Sequence, residues 1–372
     1  MKRTTLLLAL LLSAAPAAAE PVTVSGDIRA GWLSSETRNR AGALSDTDSL
    51  RARARVRATY GTGDWQFAAR FAAVLDSRQD DTGFWFQPYA PSPTGLRQGD
   101  ATLDELYAEY GFRDAWTLRA GRFQTRFELE GVAPKSLDRN DSPNLDVTWT
   151  DGLWLRHSGP AWTAHFVAQH NHHEGPTNVQ RQPLWFGEGD ARATLFAALE
   201  AAEPLGPVVQ RVVAVTWAPN ALRPLGVANP ARADYLAVTF RGAAAWPVGA
   251  AGMRILVGAE AGYAPNTPRR VVMGTGTNGD AGGLAWQLSL NLLDFAPNHS
   301  LGLVAGRVDD GWLISSDFRP NESLLELRWA WRLHSSWVLH ARIRRREELA
   351  VPFAPLLPRR TDDAYLRATY RF

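Results

Sequence analysis

Four arginines stand on alternate residues, Arg51, Arg53, Arg55 and Arg57, and three more do so at Arg342, Arg344 and Arg346. A guanidinium group stays charged at every physiological pH and presents planar, forked donors that match carboxylates and phosphates. The chemistry on offer is electrostatic, the holding or steering of anions, and no bond need be made or broken. Leu50, Ala52, Ala54, Val56, Ala58 and Tyr60 occupy the alternate positions before, between and after the first four. A helix, turning about 100° per residue, would spread these arginines round its circumference, whereas a strand sends them to one face and the apolar residues to the other. One face suits an apolar medium; the other demands water or counter-charge.

Other chemistries find little support. No Gly-x-Ser-x-Gly elbow and no recognisable Ser/His/Asp grouping occurs, so the chain does not read as an enzyme. The glycine-rich run 274–283 is followed by neither Lys-Ser/Thr nor a helix, so it is a loop and not a phosphate cradle. The carboxylates of Asp138 and Asp141 match no full calcium loop. His170, His172 and His173 are weak metal candidates without a recognisable supporting shell, and no cofactor is expected. Cysteine is absent, which excludes disulfides and thiolate metal sites.

The chain opens with Lys2 and Arg3, an apolar run 6–12 and small residues up to Ala19, the pattern of a cleaved secretory signal peptide over 1–19. Its removal takes two of 40 basic residues and none of 38 acidic ones, leaving 38 against 38, so the charge balance gives no reason to expect nucleic acid. No later run of about 18 apolar residues exists to form a transmembrane helix. An exported chain of alternating apolar and polar residues can still cross a membrane as a closed barrel.

Period-2 segments fall at 22–33, 49–60, 65–76, 102–112, 115–123, 148–157, 161–170, 191–203, 208–218, 232–242, 253–264, 283–295, 300–309, 323–333, 336–346 and 363–372, sixteen in all. Short links such as 113–114, 158–160 and 334–335 alternate with loops of ten to twenty-five residues. The expected fold is all-β: one transmembrane antiparallel up-and-down barrel over 20–372, of about sixteen strands within a range of about fourteen to eighteen. The even count puts both ends of the barrel in the periplasm, with short turns there and long loops outside. Outward aromatic residues gather beside the short turns, at Tyr60, Trp65, Phe112, Trp116, Trp162, Trp337, Tyr370 and Phe372, as an interfacial girdle requires.

The last strand, 364–372, alternates and closes on Tyr370 and Phe372 with no tail. It resembles the assembly signal of Gram-negative outer-membrane barrels, and the whole chain after its leader resembles the porin superfamily. The stretch Ala115-Trp-Thr-Leu-Arg-Ala-Gly-Arg-Phe123 followed by Phe127-Glu-Leu-Glu130 is similar to the strand-into-loop pattern of phosphate-selective and alginate-export-type porins. The resemblance implies an outer-membrane channel that meets lipids and the barrel-assembly machinery, forms a homotrimer, and folds its third external loop, 124–147, into the lumen.

With the apolar faces on lipid, the opposite faces line the interior. Arg328, Arg332, Arg342, Arg344, Arg346, Arg367, Arg371, Arg29, Arg51, Arg53, Arg55, Arg57 and Arg70 then form a basic wall across the seam between the last and first strands. Asp27 and Glu326 sit within it, and Glu105, Glu109 and Glu260 face it from elsewhere. By the porin resemblance, Glu128, Glu130, Asp138 and Asp141 on loop 124–147 bring an acidic edge against the wall, together with Asp146, Arg126, Lys135 and Arg139. A transverse field at a narrow point screens solutes by charge. The expected function is passive diffusion of small polar solutes with an anion bias. Two alternatives are an export channel for an anionic polysaccharide and a sealed barrel acting as scaffold for a partner protein.

Overall fold

A strand whose side chains alternate between lipid-compatible and water-compatible is stable in a membrane only when every backbone N–H and C=O is paired, and closure of a sheet on itself leaves no edge. The computed structural model describes residues 22–78, 84–85, 101–141, 147–171, 182–187, 189–226, 231–249 and 252–372. The leader 1–19, Asp146, His172 and His173 lie outside the described residues. The wall strands are β1 (Thr23–Arg38), β2 (Leu44–Thr62), β3 (Trp65–Asp76), β4 (Ala101–Phe112), β5 (Trp116–Phe123), β6 (Thr150–Ser158), β7 (Trp162–His170) and β8 (Ala193–Ala201). They continue as β9 (Val208–Leu222), β10 (Ala233–Pro247), β11 (Arg254–Tyr263), β12 (Leu284–Ala296), β13 (His299–Val308), β14 (Glu322–His334), β15 (Trp337–Glu348) and β16 (Arg360–Arg371).

Each strand pairs antiparallel with its neighbours in sequence, and β16 pairs with β1 from Asp27↔Arg371 to Arg38↔Arg360, closing a sixteen-stranded barrel. The seventeenth strand of the sheet is the two-residue Phe84–Trp85, which lies parallel to the start of β4. The sixteen segments expected from alternation all appear, with boundaries shifted by a few residues and with β1 and β2 extended at the long-loop end.

Burial is inverted relative to a water-soluble sheet. Ile343 is 60% exposed and Leu366 53%, whereas Arg53, Asp104 and Glu326 are at 0%. Apolar groups on the outside and charges within is the arrangement a lipid surround selects. At the short-turn end aromatic rings touch in sequence round the wall. Tyr60 lies against Phe67, Trp65 against Tyr110 at 4.7 Å, Phe112 against Trp116 at 6.2 Å, and Trp337 against Tyr370 at 4.9 Å. Amphipathic rings favour the headgroup level, which places this belt at one membrane interface.

Phe372 finishes the barrel by exchanging backbone hydrogen bonds with Gly26, N to O at 3.2 Å and O from N at 2.9 Å. Its ring lies over Gly26, where a Cβ would stand 2.5 Å from Cζ, so glycine there makes room for the terminal aromatic. On the inner face of the opposite wall, residues of two loops fill the space above other glycines. Trp312 covers Gly262, Phe318 covers Gly306, Leu129 covers Gly258 and Val132 covers Gly302. The resulting apolar cluster joins Ala133 and Leu137 of segment 124–141 to Trp312, Leu313, Ile314 and Phe318 of segment 309–321, inside the barrel.

Candidate functional site

Register decides which charges meet at the seam. Arg328 faces Arg342, Arg342 faces Tyr365, Arg29 faces Arg53, and Gly31 lies between Arg367 and Arg51. Like charges directly opposite one another on a sheet repel, and three carboxylates offset this. Asp27 accepts from Arg55 at 2.5 Å and Arg53 at 3.2 Å, with Arg29 at 3.4 Å. Asp363 accepts from Arg342 and from Arg344 at 2.7 Å. Glu326 meets Arg328 at 2.5 Å and Lys135 at 2.9 Å. The Tyr365 ring takes the Arg342 guanidinium at 4.1 Å and that of Arg367 at 5.2 Å, spreading charge over a π face.

Between the level of Asp27 and that of Asp363 runs a row of inward residues, His340, Arg367, Gly31 and Arg51, in which the carboxylate is Asp76, directly opposite Arg51 on β3. Arg51 turns to Asp76 at 2.7 Å. Arg346 donates to the Asp317 carbonyl at 3.2 Å. Arg332 and Arg371 lie exposed at the short-turn end, where Arg332 meets Asp294 at 2.5 Å.

The other flank of the seam depends on an irregularity. Between Arg70 and Phe71 the β3–β4 pairing slips by one residue, from Glu105 to Leu103. The extra residue is Asp104, and the bulge turns both Asp104 and Glu105 inward. Arg70 is gripped by Asp104 through two hydrogen bonds of 2.8 Å and by Glu105 at 2.9 Å. Arg57 reaches Glu105 at 3.3 Å and the Tyr107 hydroxyl, and Glu109 is taken by Arg119 at 2.7 Å. Strict alternation assigns Asp104 to the lipid face. The signal available was its sequence position beside Glu105, since two adjacent carboxylates cannot both be accommodated on one regular strand without one meeting lipid.

Segment 124–141 is a hairpin lying against the inner wall across from the seam. Its two arms are tied by Phe127 N–H to Arg139 O and Leu129 N–H to Lys135 O, at 2.9 and 2.8 Å. Gln210 of β9 receives the Glu130 N–H and donates to the Glu128 carbonyl, while Asn291 of β12 accepts from the Val132 N–H. Arg126 and Glu130 are exposed and Glu128 is partly buried on this hairpin. Burial, reinforced by Asp317, pushes the Glu128 carboxyl up from its ordinary value; burial and Glu200 do the same to Glu130.

Asp138 and Asp141, placed by sequence on an acidic edge facing the wall, are instead buried as anchors. Asp138 binds Arg241 at 2.9 Å and the Thr239 hydroxyl at 2.6 Å, and Arg241 also binds Glu260 at 2.5 Å. Burial works against the Asp138 carboxylate, yet Arg241 and the Ser136 and Thr239 hydroxyls hold it below the ordinary aspartate range. Burial pushes Asp141 up, although the Thr125 and Thr150 hydroxyls donate to it at 3.1 Å. Glu260, only 2% exposed, is likewise spent on Arg241 and Gln287 and does not front open solvent. The physical reason is shared: the polar groups of a loop carried inside a barrel must be satisfied there, by its own Asp138 and Asp141 and by Glu260 of the wall, which accepts from the Leu137 N–H.

Segment 309–321 is a second inward loop that sequence reasoning left outside. Asp317 accepts from the Ser136 N–H at 3.0 Å and from Asn140 at 2.8 Å; Ser315 donates to the Ser136 carbonyl and Trp312 to that of Leu137, both at 2.7 Å. The run Trp312-Leu313-Ile314 was its signal, because three large apolar residues gain nothing in a solvated loop. His170 ends β7 at the long-loop end, and among the described residues no group of three or more His, Cys, Asp or Glu is arranged to hold a metal ion.

No family model and no curated protein sequence matches this chain. Solved structures do. Pseudomonas putida OprB superposes with a TM-score of 0.58 at 12% identity, covering 94% of each chain. The DcaP channel of Acinetobacter baumannii gives 0.56 at 14%, over 96% of this chain and 99% of that one. The anion-selective porin of Comamonas acidovorans gives 0.55 at 10%, over 95% and 99%. The likeness spans nearly the whole of each chain, and what it establishes is that this protein has the sixteen-stranded barrel fold of outer-membrane porins.

Proposed function

We propose that this protein is an outer-membrane porin, a passive diffusion channel for small polar solutes, with an anion bias set by the seam. The observation that carries the reading is the inverted barrel itself: apolar residues outside, and inside a wall from β14 to β3 on which arginines outnumber the carboxylates that hold them. Such a wall, set in low-dielectric protein, focuses a positive potential into a water-filled lumen, where it attracts anions and repels cations. The hairpin 124–141 stands as the constriction, with Arg126, Glu128 and Glu130 its solute-facing charges and Lys135, Asp138 and Asp141 its anchors. The short-turn end is the periplasmic one, and solutes are screened by charge and size without chemistry.

A second reading, a sealed barrel that serves as scaffold, draws on the complete burial of Arg53 and on the two inward loops. Ion conductance of the purified protein in a planar bilayer separates the two.

A further inference from the structure

The outer surface of the barrel has a hollow of about 1000 Å³ across β8 to β12, on the side away from the seam. Its floor is made of small residues, Ala201, Gly242 and Ala259, and its rim includes Phe240 and Trp286. Register explains the shape. In one row Gly242 faces Ala259, so neither strand lifts a side chain; in the next Phe240 faces Ala261 and Ala261 faces Trp286, so two large rings flank a gap. Phe240 is 62% exposed, a large apolar surface on the lipid-facing wall.

Arg211 lies in the low row, directly opposite Gly242. It points outward, since Gln210 on one side engages the inward hairpin and Val212 on the other is buried. A cation on the lipid face of a barrel is costly at mid-membrane and readily tolerated near the interface. Arg211 is three residues from the start of β9 at Val208, about 10 Å along the strand. It leans toward the turn, donating to the Glu203 carbonyl at 2.8 Å. Its remaining donors lie at headgroup depth, beside an apolar hollow that opens towards the bilayer interior.

We infer that this hollow is a binding site for one anionic phospholipid of the periplasmic leaflet, its phosphate on Arg211 and an acyl chain over the Ala201–Gly242–Ala259 floor. Charge complementarity selects the ligand: a forked guanidinium matches a phosphate diester, and the small-residue floor admits a chain that bulkier neighbours would exclude. The assignment of leaflet rests on the proposed orientation, with short turns in the periplasm.

The test is native mass spectrometry of the full-length mature protein, stripped of lipid and offered equal amounts of phosphatidylglycerol and phosphatidylcholine. The wild type is expected to retain one phosphatidylglycerol in preference, and Arg211→Ala to lose that retention by about five-fold. Gly242→Phe, which fills the floor, should lose both lipids. Equal retention of the two lipids by the wild type, or unchanged retention by Arg211→Ala, overturns the site. A dimeric mass that Gly242→Phe abolishes also overturns it, giving the hollow to a second copy of the chain. Bilayer conductance of the same samples keeps the two proposals apart: a wild type that binds lipid but passes no current contradicts the porin reading and leaves the lipid site standing.

Discussion

Lys135 and Glu326 stand 2.9 Å apart with side chains only 3% and 0% exposed, one at the turn of the inward hairpin and the other on β14 of the basic seam. This pair ties the hairpin to the wall it faces. Breaking a buried pair by removing one partner costs about 3–5 kcal/mol, because the other charge is left without compensation. Glu326→Gln, which leaves Lys135 without its carboxylate, should destabilise the barrel by about that much, Lys135→Met by less because Arg328 still holds Glu326, and the double substitution by clearly less than their sum. Denaturant unfolding of the four proteins in lipid vesicles measures this directly; single variants within about 0.5 kcal/mol of the parent would mean that the pair is not an anchor.

The same lysine makes the selectivity depend on pH. Burial pulls Lys135 down from 10.5 to about 8, in spite of Glu326. Between pH 7 and pH 9, a range set about that value, the hairpin therefore loses one positive charge beside the seam, and anion preference should fall with a midpoint near 8. Because the folded chain holds this proton less tightly than the unfolded one, the lysine's contribution to stability rises between about 8 and 10.5, so the barrel itself is not expected to open. Reversal potentials across this range check the shift, and Lys135→Met should abolish it.

The barrel was legible in the sequence because its signal is local. A strand that separates Arg51, Arg53, Arg55 and Arg57 from Leu50, Ala52, Ala54 and Val56 announces both its period and its two media. Antiparallel neighbours joined by short turns then follow with little freedom, and so did the meeting of the first and last strands. Contacts made across the lumen were not legible in that way. Nothing local distinguishes a carboxylate left partly exposed, such as Glu128, from one consumed as an anchor, such as Asp138, since the difference lies in whether Arg241 of a distant strand points at it. The bulge at Asp104 hid for a related reason: a single extra residue flips parity, and alternation assumes that none is present. Segment 309–321 was hidden by length alone, although its apolar run and the glycines beneath Trp312 and Phe318 mark it in retrospect.

Asp104 offers a test of that bulge. Arg70 donates two hydrogen bonds to it, and Asp104 itself is wholly buried. Asp104→Ala should destabilise the barrel by roughly 3 kcal/mol, since the buried Arg70 guanidinium is then left to Gln124 and to Glu105, a carboxylate it shares with Arg57. Asp104→Asn, which keeps the shape and half of the acceptors, should cost less. Equal stability of the parent and Asp104→Ala in vesicle unfolding would show that the carboxylate is facing solvent or lipid, contrary to the structure.

Charge reversal on the seam should alter selectivity, and reversal on the outer surface should not. Arg53→Glu with Arg55→Glu surrounds Asp27 with acid instead of base, and the anion preference should be abolished or inverted. Arg345, whose side chain is 52% exposed on the outward parity beside Asp362, provides the control, with Arg345→Glu leaving selectivity as it was. The same reversal potential for all three proteins would remove the seam from the conducting path.

The central claim is that the arginine-rich seam lines a water-filled, anion-preferring passage. The most direct measurement is the current through the purified, refolded protein in a planar bilayer, with the reversal potential read in a salt gradient. Discrete conductance steps with a reversal potential displaced toward that of the anion are the predicted result. A barrel that inserts and passes no current would contradict the claim, and one that conducts with cation preference would contradict the role given to the seam.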